Sequence, residues 1–574
     1  MAPHPSRRPW TLPPLGEALV DPPAPALAEL AARNAEALEA ERFDVGGVPA
    51  AELRGALRQA ALAIGTRQAR RYGWWEGPSA GNHATHGPVR PLRWMVTGHQ
   101  PILAHPGIVV KNALIGALAR TVPGAVAVNV VVDYDTAAQM AAPVPVRKEG
   151  RLTVEPVTLA PVGYGYPFCQ VPAPGASELD AFASGVVERL ATLGQPGESL
   201  IRRFLEFMRV AAAPPRTGGD REAPASLAEW VTAARHRFEA MALGAYAEYL
   251  EVPAGELTST WPFRLFFADV ALRAREFALI HNETLAAYRS QHHIRSRANP
   301  FPDLLVEPAG GRVELPFWIL TPGLRRRKLY ARQDRSRRDA LELSTVDGPV
   351  AELPLSRPDG ARELAEALER AGLAIRPRAV TLTLFVRLFL ADLFVHGVGG
   401  ARYDRVTDAV ARRFYGIEPP PYAVASMSLA LADLPRPEIA EPPDQLRRQL
   451  RDLRFNPQRW VAPGEADDTL ARLAEEKRRL VRAIQQPGAP RRALTRQIEQ
   501  VNAALSERLE GVRVNIEARL RQATLAVLER QASDFRGYPV FFYDPLLLRR
   551  AIEEAISGRR LAPCAGDAPL RGHP

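Results

Sequence analysis

The chain has 574 residues, too many for one ordinary domain at roughly 150 residues each. Apolar residues make up 46%, charged residues 24% and aromatics 7%, which fits a globular protein and excludes fibrous or disordered classes. Two cysteines, Cys169 and Cys564, exclude a disulfide scaffold or a cysteine-based zinc module. No run of eighteen apolar residues occurs, and the start, MAPHPSRRPW, lacks the apolar stretch of a signal peptide, so a cytoplasmic protein with no membrane partner is expected.

The net charge is +10, yet only four of the 74 basic residues are lysines: Lys111, Lys148, Lys328 and Lys477. The arginines are scattered and alternate with Glu and Asp on helices. This reads as a solvated surface, and no nucleic-acid partner is expected.

In chain order, residues 1–24 are proline-rich and read as an extended arm. Helical spacing follows over 25–42 and 49–71, then a Gly-, Asn- and His-containing loop over 73–91. LRWMV (92–96) predicts a short strand, and Thr97-Gly98-His99-Gln100-Pro101 a polar turn. His105-Pro106-Gly107 opens a helix to about Arg120, with Pro106 suited to the first turn because its missing N–H has no partner there. The β-branched run 125–132 predicts a strand buried on both faces, as in a parallel sheet, ending in Asp133-Tyr134-Asp135-Thr136. Strand, helix and strand make a βαβ unit.

Residues 176–250 read as mostly helical, and one helix is expected from Phe263 to about Tyr288. Strands are predicted at 312–320 and from 325. The apolar stretch 381–395 predicts a helix turning into a short strand near Leu393–Val395. His396-Gly397-Val398-Gly399-Gly400 then breaks the chain before a helix near Ala401 that carries Tyr403 and Asp404. Long charged helices are expected over 466–484 and 493–530. Their Leu, Ile and Val spacings of three, four and seven indicate a coiled-coil seam, and QQPGAP (485–490) folds one back on the other. YPVFFYD (538–544) returns to a core. The expected organisation is an N-terminal arm and helices (1–90), a core (91–440) with a mainly helical insertion at about 176–300, and a hairpin with a C-terminal return (441–574).

Ligands of open α/β sheets bind beyond the carboxyl ends of the strands. Three polar clusters fall at such ends. The first holds Thr97, Gly98, His99, Gln100, His105, Lys111 and Asn112. A helix N-terminus with an added Lys and His favours an anion, although Lys111 could also snorkel to solvent. The second holds Asp133 and Asp135, two carboxylates suited to a metal–nucleotide complex or an ammonium group, or to helix capping by Asp135. The third holds Gly399, Gly400, Tyr403 and Asp404, where glycines allow close backbone approach or simply a tight turn. His281, His292 and His293 lack a carboxylate on their face, and no metal site is expected. GxSxG, HExxH and SxxK signatures are absent.

The ordered set VTGHQP (96–101), Lys111, DYD (133–135), GVGGARYD (397–404) and the heptad-spaced 466–530 resembles the bacillithiol biosynthesis cysteine-adding enzyme family over roughly 90–545. The resemblance implies an α/β fold with a Rossmann-like parallel-sheet core, helical insertions and a C-terminal antiparallel coiled-coil hairpin. It implies a ligase joining an amino acid, cysteine in that family, to the amine of a small polar acceptor such as a glucosaminyl malate. ATP with Mg is the candidate co-substrate, and the hairpin a candidate homodimer interface. His99, Lys111, Asp133 and Asp135 would be catalytic, with His99 the base and Lys111 the charge stabiliser. Thr97, Gly98, Gln100, His105, Asn112, Gly399, Gly400, Tyr403 and Asp404 would bind substrate. The chain departs from the family pattern at His99, at DYD and at ARYD. Two alternatives stand beside the ligase reading: a non-catalytic nucleotide- or sugar-binding protein, and a ligase-like enzyme with another substrate.

Overall fold

The computed structural model describes residues 10–74, 92–163, 165–212, 224–308, 311–323, 325–332, 340–355, 360–462 and 467–558. They form two compact units, one within Met1–Val144, Glu155–Ala432 and Arg536–Pro574, the other within Pro145–Val154 and Asp433–Phe535. Of the loop expected at 73–91, residues 75–91 lie outside the described residues.

The first unit is mixed α/β. Its main sheet has six strands: β1 (Glu17–Asp21), β2 (Arg93–His99), β3 (Ala125–Val131), β4 (Leu250–Pro253), β5 (Leu393–His396) and β6 (Ala423–Ser428). Their order is β1-β6-β5-β2-β3-β4. β1 runs antiparallel to β6, and every other pairing is parallel. All seven residues of β3 are buried, as a strand covered on both faces requires. Helix α1 (Pro106–Thr121) joins β2 to β3, α2 (Leu227–Leu243) precedes β4, α3 (Ala379–Phe389) leads into β5, and α4 (Val398–Phe414) joins β5 to β6. After β3 and β4 the sheet grows on the other side of β2, through β5 and β6. The chain therefore diverges at the carboxyl ends of β2 and β5, and a crevice opens there.

Several elements differ from the sequence reading. The expected arm supplies β1, an edge strand zipped along β6 from Glu17↔Ser428 to Asp21↔Val424. β2 continues through Thr97-Gly98-His99, because those backbone groups pair with β3 up to His99↔Val131. The stretch expected to be helical to 250 ends in β4. The single helix expected from Phe263 is two, Trp261–Leu272 and Ala274–Gln291, broken at Arg273 (φ −105°, ψ 27°). A second sheet, antiparallel and five-stranded, is built from Val313–Leu320, Arg327–Arg332, Ala340–Thr345, Gly348–Pro354 and Ala374–Pro377. Only its first two strands were legible.

The second unit is helical apart from the tip of the β-hairpin Gln139–Lys148/Arg151–Pro161. Asp468–Ile484 and Arg491–Arg508 pack together across the 485–490 turn, and Pro443–Phe455 packs on Glu510–Ser533. The long helix expected over 493–530 is interrupted at Leu509 (φ −93°, ψ 13°). Leu446 and Leu453 of the unforeseen helix join Leu470, Leu480, Val501, Leu505 and Ile516 in one buried cluster. The apolar seam expected along the hairpin is thus partly covered by other helices of the same unit. Among the described residues no helix is long and apolar enough to cross a membrane.

Candidate functional site

A cavity of about 680 Å³ opens at the carboxyl ends of β2 and β5 in the first unit. The β2 end contributes Gly98, His99 and Gln100, α1 contributes His105 and Lys111, and β5 with α4 contributes His396 to Gly400, Tyr403 and Asp404. The start of α3 (Arg378 to Thr383), the second sheet (Trp318, Arg326, Lys328) and Arg536 complete the wall. The third sequence cluster therefore meets the cavity whole, the first through Gly98, His99, Gln100, His105 and Lys111, and the second through Asp135 alone.

Thr97 holds the crevice together without lining it. Its hydroxyl is fully buried and donates to Val395 O at 2.8 Å, stapling β2 to β5. Gly98 is small because a Cβ there would lie 3.0 Å from Val130 O on β3.

Lys111 is 3% exposed, and its Nζ donates to Gly98 O at 3.1 Å. Burial, aided by the positive Arg235, lowers its pKa to about 8. His105 caps α1, its Nδ1 accepting from Gly107 N–H at 3.1 Å, so its proton sits on Nε2. Burial first, then Arg536 and Lys111, push it down to about 4. His99 lies 3.1 Å through Nδ1 from Gln100 O. Desolvation and then Lys111 hold this imidazole well below its usual value, so it is a weak proton acceptor, a poor match for the expected base.

Asp135 lines the cavity, accepting from Gln100 Nε2 at 2.7 Å and pairing with Arg326 at 2.7 Å. Asp133 does not line it. Its carboxylate accepts from Gly255 N–H at 2.7 Å at the start of the short helix Ala254–Leu257, and burial raises its pKa to about 6. Alternation along an extended segment put both carboxylates on one side, but the chain turns here, with Asp133 N–H bonded to Val131 O and Asp135 N–H to Val132 O. Asn112 is also removed from the cavity. It is 1% exposed and donates to Glu239 (3.2 Å) within a buried network of Arg235, Tyr249, Glu251 and His236.

The glycines are not a turn before the helix. Gly397 is the N-cap of α4, so Gly399 and Gly400 lie in its first turn. A Cβ on Gly399 would meet nothing within 4 Å. Tyr403 is half-exposed and packs on Phe301 and Tyr288. Asp404 is buried, with Oδ2 accepting from Arg387 Nη1 at 2.5 Å and facing His396 Nε2 at 2.8 Å.

The sequence reading assigned no role to His396, Arg378, Arg326, Trp318, Lys328 or Arg536. Trp318 sits between the guanidiniums of Arg326 (4.7 Å) and Arg378 (4.4 Å). Glu314 pairs with both Arg378 (2.8 Å) and Lys328 (3.0 Å). Asp135 answers Arg326, and Asp404 answers Arg387. Lys111, Arg536 and one of the Arg378–Lys328 pair remain without a compensating carboxylate among these contacts, which leaves the cavity cationic. An arginine-rich chain hides such positions. For His396 a signal existed: a histidine ending an apolar strand, with Asp404 two helical turns on.

Among the described residues no three His, Cys, Asp or Glu side chains are gathered as metal ligands. The donor set suits phosphate or carboxylate oxygens rather than a resident cation. His281 lines the cavity, with Nδ1 3.3 Å from Asn282 Oδ1. Cys169 is not an activated thiol, since burial and then Asp133 push it up to about 12.

Compared with known proteins, the chain matches no family model, and no curated protein matches its sequence.

Proposed function

We propose that this protein is an amide-forming ligase that joins the carboxyl of an amino acid, cysteine first among candidates, to the amine of a small polar acceptor such as a glucosaminyl malate. The carrying observation is the convergence of the TGHQ, Lys111 and HGVGG segments on one cationic cavity at the point where the sheet's chain order diverges. Without β1, the parallel strands in their own chain order read 3-2-1-4-5 across the sheet, which supports a Rossmann-like core.

The residues present fit the phosphates of ATP. Lys111 and Arg536 offer uncompensated charge, and α4 begins at Gly397 with no side-chain cap, leaving first-turn N–H groups for an anion. Bound ATP would supply an activated, phosphate-linked acyl group. Mg would arrive on the phosphates, because Asp135 and Asp404 are committed to arginines. The chain's own work is to hold the anions, keep acyl and amine in contact distance, and accept a proton; proximity of this kind contributes several kcal/mol.

Incubation with glucosaminyl malate, cysteine and ATP should yield a condensed product heavier than the acceptor by cysteine less water, read by mass spectrometry. Nucleotide and acceptor binding without turnover of any amino acid would favour the non-catalytic binder. Turnover with another amino acid or amine would favour the ligase with a different substrate.

The coiled-coil reading of Asp468–Ile484 and Arg491–Arg508 rests on their heptad spacing, and the dimer on apolar residues still uncovered on the last long helix of this unit. Val514, Leu525 and Leu528 are 48%, 37% and 47% exposed at helical spacing. Sedimentation velocity at micromolar concentration should show a dimer, converted to monomer by Leu525→Glu with Leu528→Glu. A monomeric full-length chain removes the dimer.

A further inference from the structure

We infer that His396 is the general base of this cavity and that Asp404 is the residue that positions it. The inference rests on the ligase reading for the identity of the proton donor, an amine.

His396 ends β5 at the crevice. Its ring is held by Phe394 (centroids 4.5 Å apart) and, edge-on, by Tyr422 (4.8 Å). Nε2 lies 2.8 Å from Asp404 Oδ2. An ionised carboxylate only accepts, so in the neutral imidazole Nε2 carries the hydrogen and Nδ1 the lone pair. Arg387 fixes the carboxylate in turn, reaching Asp404 at 2.5 Å, Asp408 at 2.7 Å and Pro420 O at 2.6 Å.

Gly400 explains how Nδ1 stays open. A Cβ at this position would lie 2.9 Å from Nδ1, closer than side chains pack. Any residue but glycine would cover the nitrogen or push the ring aside. His105 differs, because its Nδ1 is already occupied by Gly107 N–H. His99 differs, because burial first and then the neighbouring Lys111 oppose a positive charge on its ring. Of these three imidazoles, His396 is the one backed by a carboxylate, which stabilises the imidazolium once formed.

In the step, the amine nitrogen attacks the acyl carbon of a mixed acyl–phosphate anhydride. The C–N bond forms, and the acyl C–O bond breaks with its electron pair leaving on the phosphate. The amine proton passes to His396 Nδ1. Asp404 stays ionised against Arg387, so the proton rests on the imidazole.

Diethyl pyrocarbonate acylates an unprotonated imidazole nitrogen and serves as the probe on the full chain, with sites located by peptide mass spectrometry. His396 should be labelled in the wild type, and labelling should be lost in Gly400→Ala at unchanged circular dichroism. An unlabelled wild-type His396, or equal labelling in Gly400→Ala, overturns the open Nδ1 and with it the base. In turnover, His396→Gln should lower kcat about 100-fold at unchanged KM. Asp404→Asn should also lower kcat while sparing KM. Full kcat in His396→Gln overturns the inference while leaving the ligase reading intact. Absence of turnover in the wild type sinks the ligase reading, and the labelling then decides whether His396 presents a base.

Discussion

Arg387→Met is expected to lower the stability of the first unit by about 3–5 kcal/mol, read as a fall in its thermal unfolding midpoint by calorimetry. The Arg387 guanidinium is 2% exposed and bridges α3 to α4 through Asp404 and Asp408. Methionine keeps most of the aliphatic volume, so the loss is electrostatic rather than a cavity. Two buried carboxylates would remain without that cation. Burial alone would raise the Asp404 carboxyl, but Arg387 and His396 outweigh it and hold it below its ordinary range. Such a depressed group stabilises the fold above the ordinary carboxylate pKa, and that contribution fades as pH falls toward the depressed value. In the variant the desolvated Asp404 carboxyl rises instead, and acid relieves it. The deficit against wild type should therefore be widest near pH 8 and shrink toward pH 4–5. A deficit constant across that range would assign the effect to lost packing.

Lys111→Met should weaken binding of ATP or another phosphate-bearing ligand by about 1.5–3 kcal/mol, roughly 10- to 150-fold by calorimetry. The same change should stabilise the free protein. Its pKa of about 8 in the fold lies below the ordinary lysine value of 10.5, so the unfolded chain holds the proton more tightly and the buried charge opposes folding at neutral pH. Wild-type stability should accordingly rise between about pH 8 and 10.5, and that rise should vanish in Lys111→Met. Wild-type affinity should fall over the same interval as the ammonium loses its proton, while the variant's weaker affinity stays flat. Unchanged affinity would remove Lys111 from the site.

The two predictions bear on residues of unequal legibility. Lys111 was visible as a lone lysine near a helix start, in an arginine-biased chain with only four lysines. Arg387 was not, because its meaning depends on Asp404 and Asp408, 17 and 21 residues away and brought to it by the packing of α3 against α4. Val346-Asp347 joins two strands of the second sheet, with Gly348 already paired to Thr345, and the Asp-Gly at this turn was a hairpin signal that the sequence reading passed over.

By itself the sequence determined the apolar first part of β2, together with α1 and β3, because the buried part of a parallel strand is apolar and a helix start must satisfy its N–H groups locally. It also determined that TGHQ, DYD and HGVGG end core strands, which places them at one edge of a parallel sheet. Only the tertiary structure decided which side chains enter the cavity. Asp133 and Asn112 were drawn away by Gly255 N–H and Glu239, partners more than a hundred residues distant. Lys328 was brought in on a strand of the second sheet, Arg326 just before that strand and Arg378 just after the sheet's last strand, and these strands are short, arginine-bearing and carry little periodic signal. Side-chain direction at a strand end depends on long-range hydrogen bonds and charge pairing, and local pattern records neither.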